Sequence, residues 1–231
     1  MNGTDRQAYD RGTTVFSPDG RLYQVEYARE AVARGAPTVG VTAADGVVLA
    51  ALVEDRSPLV DRREAAKLSG VEGTFGLATA GHAADARQLV DLARRTAAGE
   101  RRRYGEPIDT PALSRALADH VQEDTQRGGT RPYGAALLVA GVDDRPTLIE
   151  VDPSGATETW VADAVGRGAV DAVAHLEEAY EPELTTGDAL SIAIDALGAA
   201  ADEVDPTDVE AATVDADGYA TLSADRIATA S

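Results

Sequence analysis

The sequence contains no cysteine, which excludes disulfides, thiol nucleophiles and thiolate metal sites together. Lysine is almost absent as well: of 21 basic residues only Lys67 is one. The three histidines, His82, His120 and His175, form no HxxxH or HxH spacing, so neither a metal nor any other cofactor is expected. No apolar run approaches the ~20 residues of a membrane span. The opening Met1-Asn2-Gly3-Thr4-Asp5 lacks the basic start and apolar stretch of a secretory signal, so a cytoplasmic location is expected. A G-x-S-x-G elbow, a P-loop and a full G-x-G-x-x-G fingerprint are also missing. Gly166-Arg167-Gly168 reads as a tight turn at a strand-to-helix junction.

What the chain has in excess is carboxylate. Its 231 residues carry 40 Asp and Glu, for a formal net charge of -19. At ~1 M salt the Debye length is only ~3 Å, so self-repulsion no longer opposes folding. Acid loading with scarce lysine therefore fits a halophilic protein, although a genome biased toward arginine codons gives the same scarcity. The charge argues against nucleic acid as a partner. In a chain that avoids lysine, Lys67 marks a place where a compact ammonium is not replaceable by a planar guanidinium. The run Arg101-Arg102-Arg103 at a helix end complements the helix dipole.

The patterning predicts one domain over 1–231, with a polar arm at 1–17 and no linker. Ser17-Pro18-Asp19-Gly20 reads as a turn, and Leu22, Val25, Ala28 and Val32 then recur at helical spacing, with Gly35 as a left-handed cap. Two β-hairpins follow, Thr38–Thr42 with Val47–Val53 and Ala66–Val71 with Thr74–Ala80, turning at Asp45-Gly46 and Glu72-Gly73. Helices are expected at Ala83–Arg103 and from Thr110 to Gly128-Gly129, the second with Thr110 as N-cap before Pro111. Strands return at Ala135–Val142, Thr147–Asp152 and Thr157–Ala164. Helices at Ala169–Tyr180 and Asp188–Ala201 and a hairpin, Val209–Val214 with Tyr219–Leu222, close the chain. Clustered hairpins and paired helices predict an α+β sandwich with at least one large antiparallel sheet.

One stretch is specific. Ala8-Tyr9-Asp10-Arg11, then Thr14-Val15-Phe16-Ser17-Pro18-Asp19-Gly20-Arg21-Leu22 and Gln24-Val25-Glu26-Tyr27-Ala28, resembles the signature of archaeal 20S proteasome α subunits. The likeness continues through Glu30-Ala31-Val32, Ala84-Asp85-Ala86-Arg87, Thr125-Gln126 and Arg131-Pro132-Tyr133-Gly134, and fades after about residue 180. It implies a four-layer αββα sandwich, the N-terminal-nucleophile hydrolase fold, with two antiparallel sheets between helix layers and an α-type N-terminal helix over 18–35.

Fold alone does not settle activity, because active and inactive subunits share it. The active β subunits use a free N-terminal threonine as both nucleophile and base. Aligning Val39-Gly40 with the matching pair of that strand puts Ala36 at the nucleophile position, with 35 residues before it and Pro37 after. The assisting acid falls at Leu52, and only the lysine is kept, as Lys67. The resemblance thus implies a non-catalytic subunit rather than the alternative, an active threonine peptidase of the same fold.

The resemblance further implies a seven-membered ring, homo- or hetero-oligomeric, capping β subunits in ubiquitin-independent degradation of unfolded proteins. Tyr9, Asp10, Arg11, Pro18 and Tyr27 match the cluster that holds the pore-gating arms open, where phenols and a carboxylate exchange short hydrogen bonds. Lys67 and Gly35 match a pocket between neighbouring subunits that takes the C-terminal hydrophobic-tyrosine-any tail of a regulatory ATPase. An ammonium suits a terminal carboxylate of variable position. His82 stands where that pocket usually has an aliphatic residue, so docking is expected to depend on pH near the imidazole's ordinary ~6.5. His82, Ala36-Pro37 and Asp124 also suit a second α paralogue that mixes into rings.

Overall fold

Hairpin turns set the pairing of the first strands. In the computed structural model, which describes residues 16, 20–54, 59, 66–127, 130–201 and 204–230, β1 (Thr38–Thr42) and β2 (Gly46–Leu52) pair antiparallel across Asp45-Gly46. β3 (Leu68–Val71) and β4 (Phe75–Gly81) pair across Glu72 and Gly73, both at positive φ (51° and 74°), as a tight hairpin turn requires. Then come α2 (Ala83–Tyr104) and α3 (Thr110–Gln126), preceded by α1 (Tyr23–Ala33) near the start of the chain. Strands β5 (Ala135–Val142), β6 (Pro146–Val151), β7 (Thr157–Trp160) and β8 (Ala162–Val165) lead to α4 (Ala169–Ala179) and α5 (Thr186–Ala200). β9 (Val209–Asp215), β10 (Gly218–Thr221) and a short α6 (Ala224–Ala230) finish it.

The strands form two five-stranded antiparallel sheets, ordered β10-β9-β2-β1-β8 and β3-β4-β5-β6-β7. Side chains alternate between faces at every residue, and here both faces are covered. From β2, Val47, Leu49 and Ala51 enter a core between the sheets, while Val48, Ala50 and Leu52 pack beneath α4 and α5. From β5, Ala136, Leu138 and Ala140 face the other sheet, and Ala135, Leu137 and Val139 pack beneath α2 and α3. The result is the αββα order of four layers. Glycine lets the sheets approach closely: a Cβ on Gly40 would lie 2.8 Å from Leu148 Cδ1, and one on Gly76 would lie 2.7 Å from Val214 Cγ2.

Helix α1 covers one end of the sandwich. Val32 joins the core between the sheets, and Arg29 Nε donates to Asp152 Oδ2 at 2.7 Å just beyond β6. The helix spans only Tyr23–Ala33 of the 18–35 segment. Residues 17–19 of the expected turn and Gly128-Gly129 lie outside the described residues.

Four expectations need correction. The single strand expected at Thr157–Ala164 is two, because the chain leaves one sheet at Trp160 and joins the other at Ala162. The cap of α3 is Asp109, whose carboxylate accepts from Ala112 N at 2.6 Å, so Thr110 is already the first helical residue. Gly35 is not a left-handed cap, since its φ is not positive and Arg34 ends α1 in right-handed geometry. Glycine is required there by crowding: a Cβ would fall 2.4 Å from Gly81 N. Helix α6 was not expected, its Ala-rich 7 residues being too short for a periodic signal.

Candidate functional site

Between α1 and β1 the chain passes through Gly35, Ala36 and Pro37, and Lys67 closes on that passage from the start of β3. Its Nζ donates to Ala36 O at 2.5 Å and to Pro37 O at 3.2 Å. Its backbone N–H donates to Glu210 Oε2 at 3.0 Å, which anchors the lysine to β9. Burial pulls the ammonium down to about 7, against the opposing pull of Glu210 and Glu54 and with help from Arg167. An ammonium has three N–H groups, and the two carbonyls take two of them.

The methyl of Ala36 can neither attack a carbonyl nor hold a proton. The neighbouring threonine hydroxyls are committed to the backbone: Thr38 Oγ1 donates to Thr79 O at 3.0 Å, and Thr79 Oγ1 to Lys67 O at 3.2 Å. Leu52 is buried beneath the α4–α5 layer, and its N–H donates to Pro37 O at 3.0 Å. The lysine therefore sits among backbone carbonyls, and among the described residues no uncommitted hydroxyl stands beside it. Among the described residues there is no cluster of His, Asp or Glu able to hold a metal.

His82 reaches the same place through glycine contacts. A Cβ on Gly35 would collide with Gly81 N, and one on Gly81 would lie 2.3 Å from Gly134 O, so three backbone segments touch directly. His82 N donates to Gly134 O at 2.7 Å, and the exposed imidazole stands just before α2. Lys67, Gly35 and His82 are thus gathered around one junction of α1, β1, β4 and α2.

Asp85 holds that junction together. It is 3 % exposed, receives Arg131 Nη1 and Nη2 at 2.6 and 2.8 Å, and accepts from Gly134 N at 2.9 Å. Burial alone would raise its carboxyl; the guanidinium and the amide outweigh it and hold the group below the usual carboxylate range. The strings Ala84–Arg87 and Arg131–Gly134 are both recognisable in the sequence, but not as partners. An Asp in a helix's first turn and an Arg before a strand are the only signal of the pairing. Asp85→Ala should destabilise the fold by about 1–3 kcal/mol, because the Gly134 amide loses its acceptor; thermal unfolding in concentrated salt measures it.

Of the gate cluster, only Tyr27 falls among the described residues; Tyr9, Asp10, Arg11 and Pro18 lie outside them. Tyr27 is 42 % exposed and stacks on Tyr23 with centroids 6.5 Å apart. Arg21 pairs with Glu26 and lies 5.7 Å over the Tyr23 ring, which fixes the entrance to α1. An open polar cleft of about 590 Å³ adjoins the junction, lined by the Glu54–Arg167 ion pair, Asp171 and Asp208. Sequence patterning also gives no hint of Asp163, a carboxylate buried between the sheets on β8.

Comparison with known proteins identifies the family of the chain. The family described as "Proteasome subunit" matches residues 32–214, and the alpha-type "N-terminal signature" of the same family matches residues 9–31. "Proteasome subunit alpha 2" of Haloferax volcanii is 51% identical over 229 residues, covering 99% of this chain and 92% of that protein. "Proteasome subunit alpha 2" of Haloarcula marismortui is 47% identical, over 99% of this chain and 95% of that one. "Proteasome subunit alpha" of Natronomonas pharaonis is also 47% identical, over 97% and 90%. With an N-terminal signature and a sandwich both accounted for, and haloarchaeal relatives along nearly its whole length, the chain belongs to the proteasome subunit family, on its alpha side.

Proposed function

We propose that this chain is a non-catalytic subunit of the 20S proteasome core, forming a seven-membered ring on the β subunits in the cytoplasm. Its arm, residues 1–17, controls access of unfolded proteins to the axial pore together with Tyr27. Lys67, Gly35 and His82 receive the C-terminal tail of a regulatory ATPase. The observation that carries this reading is the junction around Lys67. The side-chain ammonium of the one lysine in this chain sits beside Ala36, which occupies the nucleophile position, half-buried, with two carbonyls on two of its protons. Such a group cannot assist a missing hydroxyl, but it can meet an arriving carboxylate.

The test is the native mass of the purified chain in ~2 M KCl, where screening is nearly complete, with a peptidase assay on the same fractions. The expected species is about seven or fourteen times 23.9 kDa and inactive toward peptides. Peptidase activity that tracks with this chain alone would overturn the reading.

A further inference from the structure

Alanine at position 36 leaves one nucleophilic nitrogen at the junction, the side-chain amine of Lys67. An ammonium has three N–H groups; the neutral amine has two and a lone pair. Ala36 O at 2.5 Å and Pro37 O at 3.2 Å match the two N–H groups of the neutral form, which turns its lone pair away from the main chain. The hydroxyls of Thr38 and Thr79 donate to backbone carbonyls, so neither caps that lone pair. Lys67 is half-buried rather than enclosed. Gly166 and Arg167 lie against the same passage: a Cβ on Gly166 would fall 2.7 Å from Ala36 O, and Arg167 N donates to Gly35 O at 2.7 Å. Arg167 and its partner Glu54 line the polar cleft, so a small molecule in the cleft stands beside the amine. Burial, helped by Arg167, favours the neutral amine; Glu210 and Glu54 favour the ammonium, and the balance lies at about 7. About half of the amine is then neutral at pH 7, against roughly one part in three thousand for an ordinary lysine.

We propose that Lys67 is an acyl acceptor, taking an activated acyl group from an acyl phosphate or a thioester that enters by the cleft. The inference rests on the docking reading of the same lysine and supplies its regulation, a covalent block. The lone pair of Nζ attacks the acyl carbon. The bond from that carbon to the phosphate oxygen or thioester sulfur breaks with its electron pair, and one amine proton passes to solvent. The amide product keeps one N–H, enough for Ala36 O, while Pro37 O still accepts from Leu52 N at 3.0 Å. No carbonyl is orphaned, so the main chain of the junction tolerates the product. Charge selects an acyl group over other electrophiles. Carbon dioxide would give a carbamate anion beside two carbonyls, Glu54 and Glu210, whereas an amide is neutral. With the cation gone, a tail carboxylate finds no partner at this position. No other lysine competes for the donor.

The experiment treats the folded chain in ~2 M KCl with acetyl phosphate, and separately with acetyl-coenzyme A, at pH values from about 6 to 9. Peptide mass spectrometry follows acetylation of Lys67, with Nα-acetyl-lysine amide in the same tube as the reference amine. At pH 7 Lys67 should react about ten-fold or more faster than the reference with at least one donor. The larger neutral fraction outweighs the weaker nucleophilicity that a less basic group has, as thiols show. Its rate should level off above about pH 8, while the reference keeps climbing toward about 10.4. The donor that reacts identifies the carrier, acyl phosphate or thioester. Chemical unfolding should erase the advantage, and acetylated particles should lose stimulation by the tail peptide. A Lys67 rate no faster than the reference with both donors overturns the inference, as does one that climbs in parallel with the reference across the whole pH range. Fast acetylation that leaves tail stimulation intact supports the acceptor site and overturns the docking reading instead.

Discussion

Lys67→Ala is expected to abolish stimulation of the assembled particle by a hydrophobic-tyrosine-any tail peptide, with the native mass unchanged. One charge-assisted hydrogen bond is worth about 1.5–3 kcal/mol, so tail affinity should drop roughly ten- to hundred-fold. Arginine should not rescue it, because a planar fork cannot replace an ammonium seated on the Ala36 and Pro37 carbonyls. The same burial that lowers Lys67 to about 7 makes docking pH-dependent. The cation is present below that value and lost above it, so tail affinity should fall as pH rises from about 6 to 8. An arriving carboxylate favours the charged form, so the decline should shift upward as peptide is added. For stability the sign is opposite to that of a paired lysine. The folded chain holds this proton less tightly than the unfolded one, so the contribution of Lys67 to stability grows as pH climbs from about 7 toward the ordinary 10.5. His82→Leu should leave that decline in tail affinity in place, since it is Lys67 that loses its charge. A further variant lacking residues 2–12 should degrade unfolded protein quickly with or without Lys67, since an absent gate needs no opening signal. Stimulation that persists in Lys67→Ala would place the docking site elsewhere.

The second large effect concerns Asp163, and here the expected result is a gain. This carboxyl is 6 % exposed on β8, on the same side of the strand as Val165, which faces the opposite sheet. Its Oδ2 has no hydrogen-bond partner among the described residues. Burial raises the group to about 7, the nearby Glu150 on β6 adds to this, the Ala164 amide opposes it, and Glu158 on β7 adds a little more. Arg29 lies close enough to act on Glu150 but is committed to Asp152. Because the folded state holds this proton more tightly than the unfolded chain, the contribution of Asp163 to stability is most favourable below about pH 4 and falls as pH rises to about 7. Above that the whole penalty applies. A shift of about three units corresponds to roughly 4 kcal/mol. Asp163→Asn should therefore unfold later than wild type at pH 8, by about 2–4 kcal/mol, with the advantage vanishing toward pH 4. Chemical unfolding at both pH values in concentrated salt tests it; a difference independent of pH would sink the assignment.

Which of these features could be read from the chain depends on whether their cause is local. Asp45-Gly46 and Glu72-Gly73 announce their hairpins because turn geometry is decided within four residues. The strands of the inner layers read as unbroken apolar runs because both faces are covered. The switch of sheets at Val161 left no trace, since Thr157 to Val165 keeps an extended pattern throughout and the change of partner is a tertiary event. Gly35 was misread for the same reason: a glycine after a helix fits a cap, and only the approach of Gly81 reveals its other purpose. Lys67 stood out through scarcity, a property of the whole composition. Asp163 did not stand out, because one acid among 40 carries no signal until its surroundings are known.

The meeting of Gly35, Gly81 and Gly134 has a mechanical consequence. Contacts between side chains are compliant, because rotamers give way before the backbone moves. Here main chain rests on main chain, with less room between the strands than a methyl group needs. A load applied beside His82 would therefore reach the C-terminal end of α1 with little slack, whereas a contact between side chains would absorb it.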